Sequence, residues 1–159
     1  FKGTITNQDV LINYSRSNTL KVLQLTGADI KAALELCAAV FAVNDCGEID
    51  YSFNVNPHII HPYAYDFWGG LDYELSIDQP IGQRVTKLIF QGQPITDDMT
   101  LNVAMNSYRA TGAEFPMFQH KRVVFESEDI IPEMIRKYIK QHSPIRCYKH
   151  GHFQVICTK

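Results

Sequence analysis

The residues best suited to binding chemistry lie in the stretch Asn106–Phe118, which contains a tyrosine, an arginine and a glycine within a few positions. Tyr108 follows the alternating run Leu101–Met105, a pattern that predicts a half-buried strand. A tyrosine at the end of a strand can offer its ring face to a flat ligand, because the strand holds the ring in place. Taken alone, the stretch is more typical of a tyrosine that caps the core edge, but the rest of the chain favours ligand binding.

Aromatic residues are frequent in the segments predicted to be loops, and two arginines, Arg16 and Arg109, accompany them. Rings and guanidinium groups in loops suit a planar ligand held by stacking. The aromatic residues concerned are Tyr14, Tyr63, Tyr65, Phe67, Trp68, Tyr108, Phe115 and Phe118.

Catalytic motifs are missing from the sequence. There is no glycine-rich phosphate loop ending in lysine and no serine nucleophile elbow. The acidic groups Asp97-Asp98 and Glu126–Asp129 are predicted to lie in turns or helix caps. His58 and His61 have a spacing that could bind a metal, but prolines bracket the pair and no third ligand is evident, so we expect them to be structural or solvated. The chain therefore resembles a binding module more than a self-contained catalyst.

Composition and charge describe an ordinary globular chain. Of 159 residues, 45% are hydrophobic and 20% are charged, and the net charge is −2. This length predicts one domain over residues 1–159. The absence of a basic excess argues against a nucleic-acid duplex as partner, and no apolar run has the length needed for membrane insertion. Because the first residue is Phe1, we expect the chain to be part of a longer protein. Cys37, on an apolar helical face, is predicted to be a buried thiol.

In the first half, the pattern predicts a short capped helix after Thr6 and a strand over Thr19–Leu25. An amphipathic helix follows, and a long loop extends from Asn44 to Tyr65. The stripe of that helix consists of Ile30, Ala33, Leu34, Cys37, Ala38 and Phe41.

In the second half, strands over Leu71–Ile77, Val85–Phe90 and Leu101–Met105 are predicted to form an antiparallel meander. A short strand over Val123–Phe125 and a helix opened by Ser127, Glu128 and Asp129, with Pro132 in its first turn, come next. Residues 145–157 are predicted to form a hairpin that turns near 149–151. The fold class is α+β, with a mixed or antiparallel sheet and two main amphipathic helices.

The order of several short motifs resembles the C-terminal domain of the 5′-nucleotidase family, over nearly the whole chain up to about Tyr138. The Asn-Thr-Leu and Tyr-Arg-Ala motifs, at Asn18 and Tyr108, are similar to the bacterial branch of 2′,3′-cyclic-nucleotide 2′-phosphodiesterase/3′-nucleotidases. The motifs are Lys2–Thr6, Asn18–Leu20, Leu25–Gly27, Leu34-Glu35, Tyr65–Glu74, Pro80–Val85, Gly92–Pro94 and Asn106–Gly112.

The resemblance implies a division of labour. An N-terminal metallophosphoesterase domain, upstream of this chain and its partner, would hold two divalent metals such as Mn or Zn and activate water. The present domain would hold no cofactor, bind the nucleoside or nucleotide, and be inactive alone. The substrates implied are 2′,3′-cyclic nucleotides and 3′-nucleotides, and the location is extracellular, in the cell wall or periplasmic. Alternatives are the substrate domain of a 5′-nucleotidase or nucleotide-sugar hydrolase, or a non-catalytic surface interaction domain.

Site residues follow from the resemblance by position. Tyr108 matches the second of two rings that clamp the base, with Arg109 beside it. The first ring precedes the Asn-Thr-Leu motif, at Arg16, where this chain departs from the family by having no aromatic residue. Either the Arg16 guanidinium stacks on the base or Tyr14 reaches in from the same face. Asn18 belongs to the same motif, and Glu114 falls near the position of an acidic ribose ligand.

Overall fold

The structure, a computed structural model, describes residues 3–52, 65–146 and 152–157. The described residues form two compact units, each assembled from two separate stretches of chain. The first lies within Phe1–Leu25 and Asn102–Tyr148, and the second within Thr26–Leu101 and Lys149–Lys159. The single domain over 1–159 stays a prediction.

Helices and strands alternate irregularly along the described residues, which confirms the α+β class. The described strands form three sheets, with the strand orders β7-β1-β8, β2-β3 and β6-β5-β4-β9. The elements are α1 (Asn7–Asn13), β1 (Thr19–Thr26), α2 (Gly27–Ala38), β2 (Phe41–Val43), β3 (Ile49–Tyr51), β4 (Asp72–Ser76), β5 (Val85–Phe90), β6 (Gln93–Pro94), β7 (Thr100–Asn106), β8 (Val123–Ile130), α3 (Ile131–His142) and β9 (His152–Ile156).

The first unit is built on the sheet β7-β1-β8. Strands β1 and β8 are antiparallel, with Lys21 opposite Glu126. Leu23 and Leu25, two positions apart on β1, are both buried, as strand alternation requires. The predicted capping of α1 is confirmed, because Thr6 accepts from the Asp9 amide while the Asp9 carboxylate accepts from the Thr6 amide.

The second unit packs α2 against a four-stranded sheet. Tyr73, Leu75 and Ile77 are buried at alternating positions of β4 and its continuation, which confirms the predicted strand face. The predicted stripe of α2 is also confirmed as far as Ala38, and the Cys37 thiol is buried as expected.

A buried polar pair fastens α2 to the start of β5. The Glu35 carboxylate accepts from the backbone amides of Arg84 (3.0 Å) and Val85 (2.8 Å). The Arg84 guanidinium donates to the carbonyls of Ala38 and Phe41, at 2.8 and 2.7 Å. Burial lowers the pKa of Arg84, and the negative charge of Glu35 opposes that shift. The end of the helix and the start of the strand therefore satisfy each other's polar groups.

Several predictions about the first half of the chain are corrected. Phe41 belongs to β2 and not to the helical stripe, because α2 ends at Ala38. The predicted loop after Asn44 contains β3, which pairs with β2 as a hairpin. The Asn44 side chain accepts from the amides of Cys46 and Glu48, so a turn forms where periodicity alone showed none.

Strand pairing in the second half also differs from the prediction. Strand β5 pairs antiparallel with β4, which confirms the first step of the predicted meander. The other neighbour of β5 is the short β6, and β7 pairs with β1 instead of continuing the meander. Gln91 and Gly92, which join β5 to β6, both have positive φ, as a tight two-residue hairpin turn requires. Strand β9 lies parallel to β4, with Asp72 opposite His152, so no hairpin partner for β9 is found among the described residues.

The polar residues Ser127, Glu128 and Asp129 do not open a helix. They lie in β8, which extends to Ile130, and the Ser127 hydroxyl accepts from the Leu20 amide at 2.9 Å. Helix α3 begins at Ile131, whose amide donates to the Asn18 carbonyl at 2.8 Å. A backbone carbonyl therefore replaces the expected side-chain cap, while Pro132 lies in the first turn as predicted.

Candidate functional site

Tyr108 stands on a tight turn at the end of β7. The Asn106 side-chain oxygen accepts from the Arg109 amide at 2.8 Å, and the Tyr108 carbonyl accepts from both the amide (3.1 Å) and the hydroxyl (2.7 Å) of Thr111. The turn is rigidly bonded, yet Tyr108 itself is 52% exposed. An exposed ring on a fixed backbone loses little freedom when a flat ligand stacks on it.

Two hydrogen bonds join this turn to the start of β1. The Ser107 amide donates to the Thr19 carbonyl at 2.8 Å, and the Thr19 amide donates to the Ser107 hydroxyl at 3.2 Å. Thr19 directly follows the segment Tyr14–Asn18, and Ser107 directly precedes Tyr108. The two bonds therefore hold the start of β1 next to the turn that carries Tyr108. The chain segments that carry Tyr14, Arg16 and Tyr108 are thus connected through Thr19 and Ser107.

Within that segment, Tyr14 is anchored and Arg16 is not. The side-chain nitrogen Nδ2 of Asn18 donates to the Tyr14 hydroxyl at 3.3 Å, and Tyr14 is half-buried. Arg16 is exposed and makes no hydrogen bond or ion pair within the described part of the chain. Neither Tyr14 nor Tyr108 stacks on another ring among the described residues, so their ring faces are not occupied by aromatic neighbours.

Arg109 and Glu114 form an ion pair near the Tyr108 hydroxyl. Arg109 Nη1 donates to Glu114 Oε2 at 2.6 Å and to the Ala113 carbonyl at 2.9 Å. The other oxygen, Glu114 Oε1, lies 3.5 Å from the Tyr108 hydroxyl. The three predicted site residues Tyr108, Arg109 and Glu114 are thus in direct contact with one another.

The expectation that Phe115 and Phe118 present their rings to a ligand is wrong. Both are buried, and they stack on each other with centroids 5.4 Å apart and planes 6° from parallel. The Arg109 guanidinium carbon lies 4.3 Å from the centroid of Phe115. The two phenylalanines therefore belong to the hydrophobic core, and the Phe115 ring packs against the Arg109 guanidinium. This arrangement arises because the turns at 109–111 and 116–118 fold the segment back on itself.

Gly112 allows this folding. Its φ of +86° is in the left-handed region, and an added Cβ would lie 2.3 Å from the Gln119 side chain.

Other aromatic residues predicted as ligand contacts lie in the second unit. Tyr65 and Phe67 pack edge to face at 4.9 Å, and Phe67 contacts Phe153 at 5.6 Å. Burial raises the pKa of Tyr65. Tyr65 is therefore packed among other rings, whereas Phe67 contacts two rings and is still 74% exposed. Tyr63 lies outside the described residues.

No metal site is found in the described ranges 3–52, 65–146 and 152–157, where no group of three or more His, Cys, Asp or Glu side chains could hold an ion. His58 and His61 lie outside these ranges. In the same described ranges, no helix combines the length and apolar character that crossing a membrane requires.

Comparison with known proteins identifies the family. Residues 1–120 match the family model for the 5′-nucleotidase, C-terminal domain. The chain belongs to this family. The predicted relationship is therefore confirmed, and the Tyr108 turn lies inside the matched region.

Relatives of the chain include bacterial enzymes named 2′,3′-cyclic-nucleotide 2′-phosphodiesterase/3′-nucleotidase. The protein from Yersinia enterocolitica is 28% identical over 162 residues, covering 94% of this chain and 24% of the relative. The protein from Haemophilus influenzae is 29% identical over 154 residues, covering 89% and 23%. The chain therefore spans about a quarter of the length of these relatives.

Solved structures agree on the fold. A putative 5′-nucleotidase from Staphylococcus aureus, in complex with alpha-ketoglutarate, has a TM-score of 0.87 and 29% identity, over 98% of this chain and 30% of its own. A 5′-nucleotidase precursor from Thermus thermophilus has a TM-score of 0.73 at 21% identity, over 99% and 29%, and supports the fold alone.

The sequence pattern did not predict the residues that hold the Tyr108 turn. Asn106, Ser107 and Phe115 were not predicted to position the site. A polar pair directly after a strand was the available signal for Asn106 and Ser107, since such residues often bond the backbone at turns. Nothing in the pattern distinguished Phe115 from an exposed loop ring.

Proposed function

We propose that this chain is the substrate-binding domain of a phosphoesterase that hydrolyses 2′,3′-cyclic nucleotides and 3′-nucleotides, and that the base stacks on Tyr108. The observation that carries the proposal is the exposed Tyr108 ring on a turn bonded through Ser107 to Thr19. The names of the Yersinia and Haemophilus relatives support this substrate class.

Tyr14 or Arg16 forms the opposite side of the base slot in this proposal. The hydrogen bond from Asn18 supports Tyr14, because a side chain that is already held loses less conformational entropy on binding. Arg16 has the planar, delocalised charge needed to stack on a base and is unrestrained in the described part of the chain. Asn18 acts in either case by holding Tyr14.

Glu114 is proposed to accept hydrogen bonds from sugar hydroxyls. Its carboxylate lies beside the Tyr108 hydroxyl, and Arg109 neutralises its charge. A paired carboxylate keeps lone pairs for further donors, since its two oxygens offer about four acceptor positions. A nucleoside stacked on Tyr108 would bring its sugar next to the rim of the base slot, where Glu114 is located.

Catalysis is proposed to take place in an upstream domain of the same protein, which would hold two divalent metals such as Mn or Zn. The described residues offer no ligand set that fits such a pair, so their contribution is to bind and orient the substrate. In this proposal, the binding energy from contacts with the base positions the phosphate for reaction in the catalytic domain. Location outside the cytoplasm is part of the proposal and rests on the family resemblance.

A second candidate is the substrate domain of a 5′-nucleotidase. The Staphylococcus aureus protein, which carries that name, supports it at 29% identity. The two candidates share the base slot and differ in which phosphate reaches the catalytic centre. Comparing hydrolysis of a 2′,3′-cyclic nucleotide, a 3′-nucleotide and a 5′-nucleotide by the whole protein separates them.

Replacing Tyr108 tests the base slot. Base–aromatic stacking contributes roughly 1–3 kcal/mol per base, or about ten- to a hundredfold in affinity. We expect Tyr108→Ala to lower kcat/KM of the full-length enzyme for nucleotides by about that factor. A small phosphodiester without a base should be hydrolysed nearly as before, because it does not use the slot. Equal losses for both substrates would mean that Tyr108 supports the fold, and the proposal would be wrong.

A further inference from the structure

Arg109 is a buried arginine in the turn that carries the exposed Tyr108. It is only 8% exposed, although burying a charge is unfavourable unless the charge is paired and hydrogen-bonded. The pairing is provided from two directions: Glu114 Oε2 and the Ala113 carbonyl accept from Nη1, while the Phe115 ring lies under the guanidinium. Solvation at the protein surface therefore does not explain why an arginine lies at this position.

Glu114 is held in a backbone conformation that it does not favour. Its φ is +60°, in the left-handed region, where a residue other than glycine persists only if its surroundings hold it. Arg109 binds both the carbonyl that precedes Glu114 and the Glu114 carboxylate, through the same nitrogen. Backbone and side chain of Glu114 are therefore fixed by a single partner.

The two oxygens of the Glu114 carboxylate have different surroundings. Oε2 is occupied by a short bond of 2.6 Å from Arg109. Oε1 lies 3.5 Å from the Tyr108 hydroxyl, at the outer limit of a hydrogen bond. Glu114 is one-third exposed at its side chain. One oxygen therefore orients the group while the other keeps its capacity to accept from a ligand beside Tyr108.

We infer that Arg109 is a positioning residue that aims Glu114 at a sugar hydroxyl of a nucleoside lying on Tyr108. The inference rests on the proposed function, because it requires the base to stack on that ring. Arg109 does not contact the ligand in this arrangement and acts only through Glu114. It makes the domain selective for nucleosides over free bases, since only a nucleoside supplies the hydroxyl.

Adenine and adenosine are suitable probes because neither carries a phosphate, so hydrolysis does not interfere. Their dissociation constants are measured with the whole protein by calorimetry or NMR titration. Their ratio isolates the contribution of the sugar. Hydrogen bonds to charged groups contribute enough for adenosine to bind at least about tenfold more tightly than adenine.

Variants of the ion pair should lower this ratio. Arg109→Met, which keeps an unbranched side chain at this buried position, and Glu114→Gln should each bring the ratio close to one. The double variant should show no further loss, because Arg109 acts through Glu114. Arg109→Lys, which retains a charged donor, should restore part of the ratio. Arg136→Met removes another ion-paired arginine of the first unit, outside the turn, and serves as the control.

The outcomes separate the inference from the proposed function. If Tyr108→Ala leaves adenine binding unchanged, the base slot is wrong. If adenine binding depends on Tyr108 but Arg109→Met, folded by circular dichroism, keeps the wild-type ratio, the positioning role is overturned and the slot stands. If Arg109→Met does not fold, Arg109→Lys and Glu114→Gln provide the test. Wild-type ratios in both variants overturn the inference. A ratio that is lowered in Glu114→Gln, and lowered less in Arg109→Lys, supports it.

Discussion

Ser107 and Thr19 bond to each other twice, each through its backbone amide, although they are far apart in sequence. One acceptor is the Thr19 carbonyl and the other is the Ser107 hydroxyl. Only the second bond depends on a side chain. The distance between the turn at Tyr108 and the segment that begins at Tyr14 is therefore controlled in part by one serine.

Ser107→Ala should loosen this connection. The Thr19 amide would lose its acceptor while part-buried, which we expect to cost about 1–3 kcal/mol of unfolding free energy. Urea denaturation measures the loss, and nucleoside affinity should fall with it. The control is Ser17→Ala, at an exposed position of the neighbouring segment. Unchanged stability of Ser107→Ala would show that water replaces the hydroxyl there.

Comparison of Tyr14→Ala with Arg16→Ala identifies the second side of the base slot. We expect the larger loss of nucleoside affinity in Tyr14→Ala, because Asn18 already holds that ring. Tyr108→Phe should be nearly silent, since the stacking face is kept and the hydroxyl bond of 3.5 Å is weak. NMR titration with adenosine provides the measurement. A larger loss in Arg16→Ala would assign the role to the guanidinium.

Gly27→Ala should destabilise the protein strongly. An added Cβ would lie 2.0 Å from the Thr96 carbonyl oxygen, a backbone atom that cannot move independently. Overpacking of this kind typically costs about 1–3 kcal/mol and occasionally more. Gly69→Ala is the matched control, because nothing lies within 4 Å of its Cβ position. Thermal unfolding of both variants tests the difference, and equal melting temperatures would contradict the close approach at Gly27.

Glu126 should make stability depend on pH in the acidic range. Hydrogen bonds from the Thr19 hydroxyl and from Lys21 hold its pKa below the usual 4.5. A lowered pKa means that the ionised form stabilises the fold, so the contribution is present above pH 4.5 and is lost as pH falls through the folded-state pKa. Glu126→Gln should be less stable than the wild type at neutral pH.

The difference between the wild type and Glu126→Gln should shrink as the pH is lowered below 4.5. Urea unfolding at several pH values follows it, with Glu128→Gln on the same strand as the control. A stability difference that stays constant down to pH 3 would mean that the Glu126 charge has no part in it.

The chain 1–159 by itself should not hydrolyse nucleotides, even with added manganese or zinc. Its described residues lack a group of ligands that could bind two metals, and the proposed catalytic centre lies in another domain. Turnover of a 3′-nucleotide or of bis(p-nitrophenyl) phosphate by the purified chain would overturn this expectation. Joining the chain to its upstream domain should produce the activity.

Local patterns predicted the elements well where one face of an element is buried. The alternation in Leu71–Ile77 and the stripe of α2 follow directly from which side chains are removed from water. Strand neighbours could not be predicted in this way, because alternation specifies a face and not a partner. Strand β7 therefore pairs with β1, and β9 with β4, against expectation.

The candidate site was predicted as a set of residue types, and its internal geometry was not. Tyr108 and Glu114 were expected to face a ligand, but the burial of Arg109 over Phe115 was not foreseen. Burial depends on how two short turns fold back, and the left-handed backbone at Glu114 has no signature in residue type. The sequence also predicts a helix start at Ser127–Asp129, but this run lies in β8, where the Ser127 hydroxyl accepts from the Leu20 amide of β1.

The interleaving of the two units constrains how the protein can fold during synthesis. Each unit begins before the other is complete, and β9, which pairs with β4, is translated after every other described strand. The ribosome therefore releases β4 long before β9 has been synthesised, and the non-local pairing of β4 with β9 slows completion of the sheet. Until then the exposed edge of β4 is open to intermolecular pairing. Nascent chains that terminate before His152 are accordingly the species that should require chaperones.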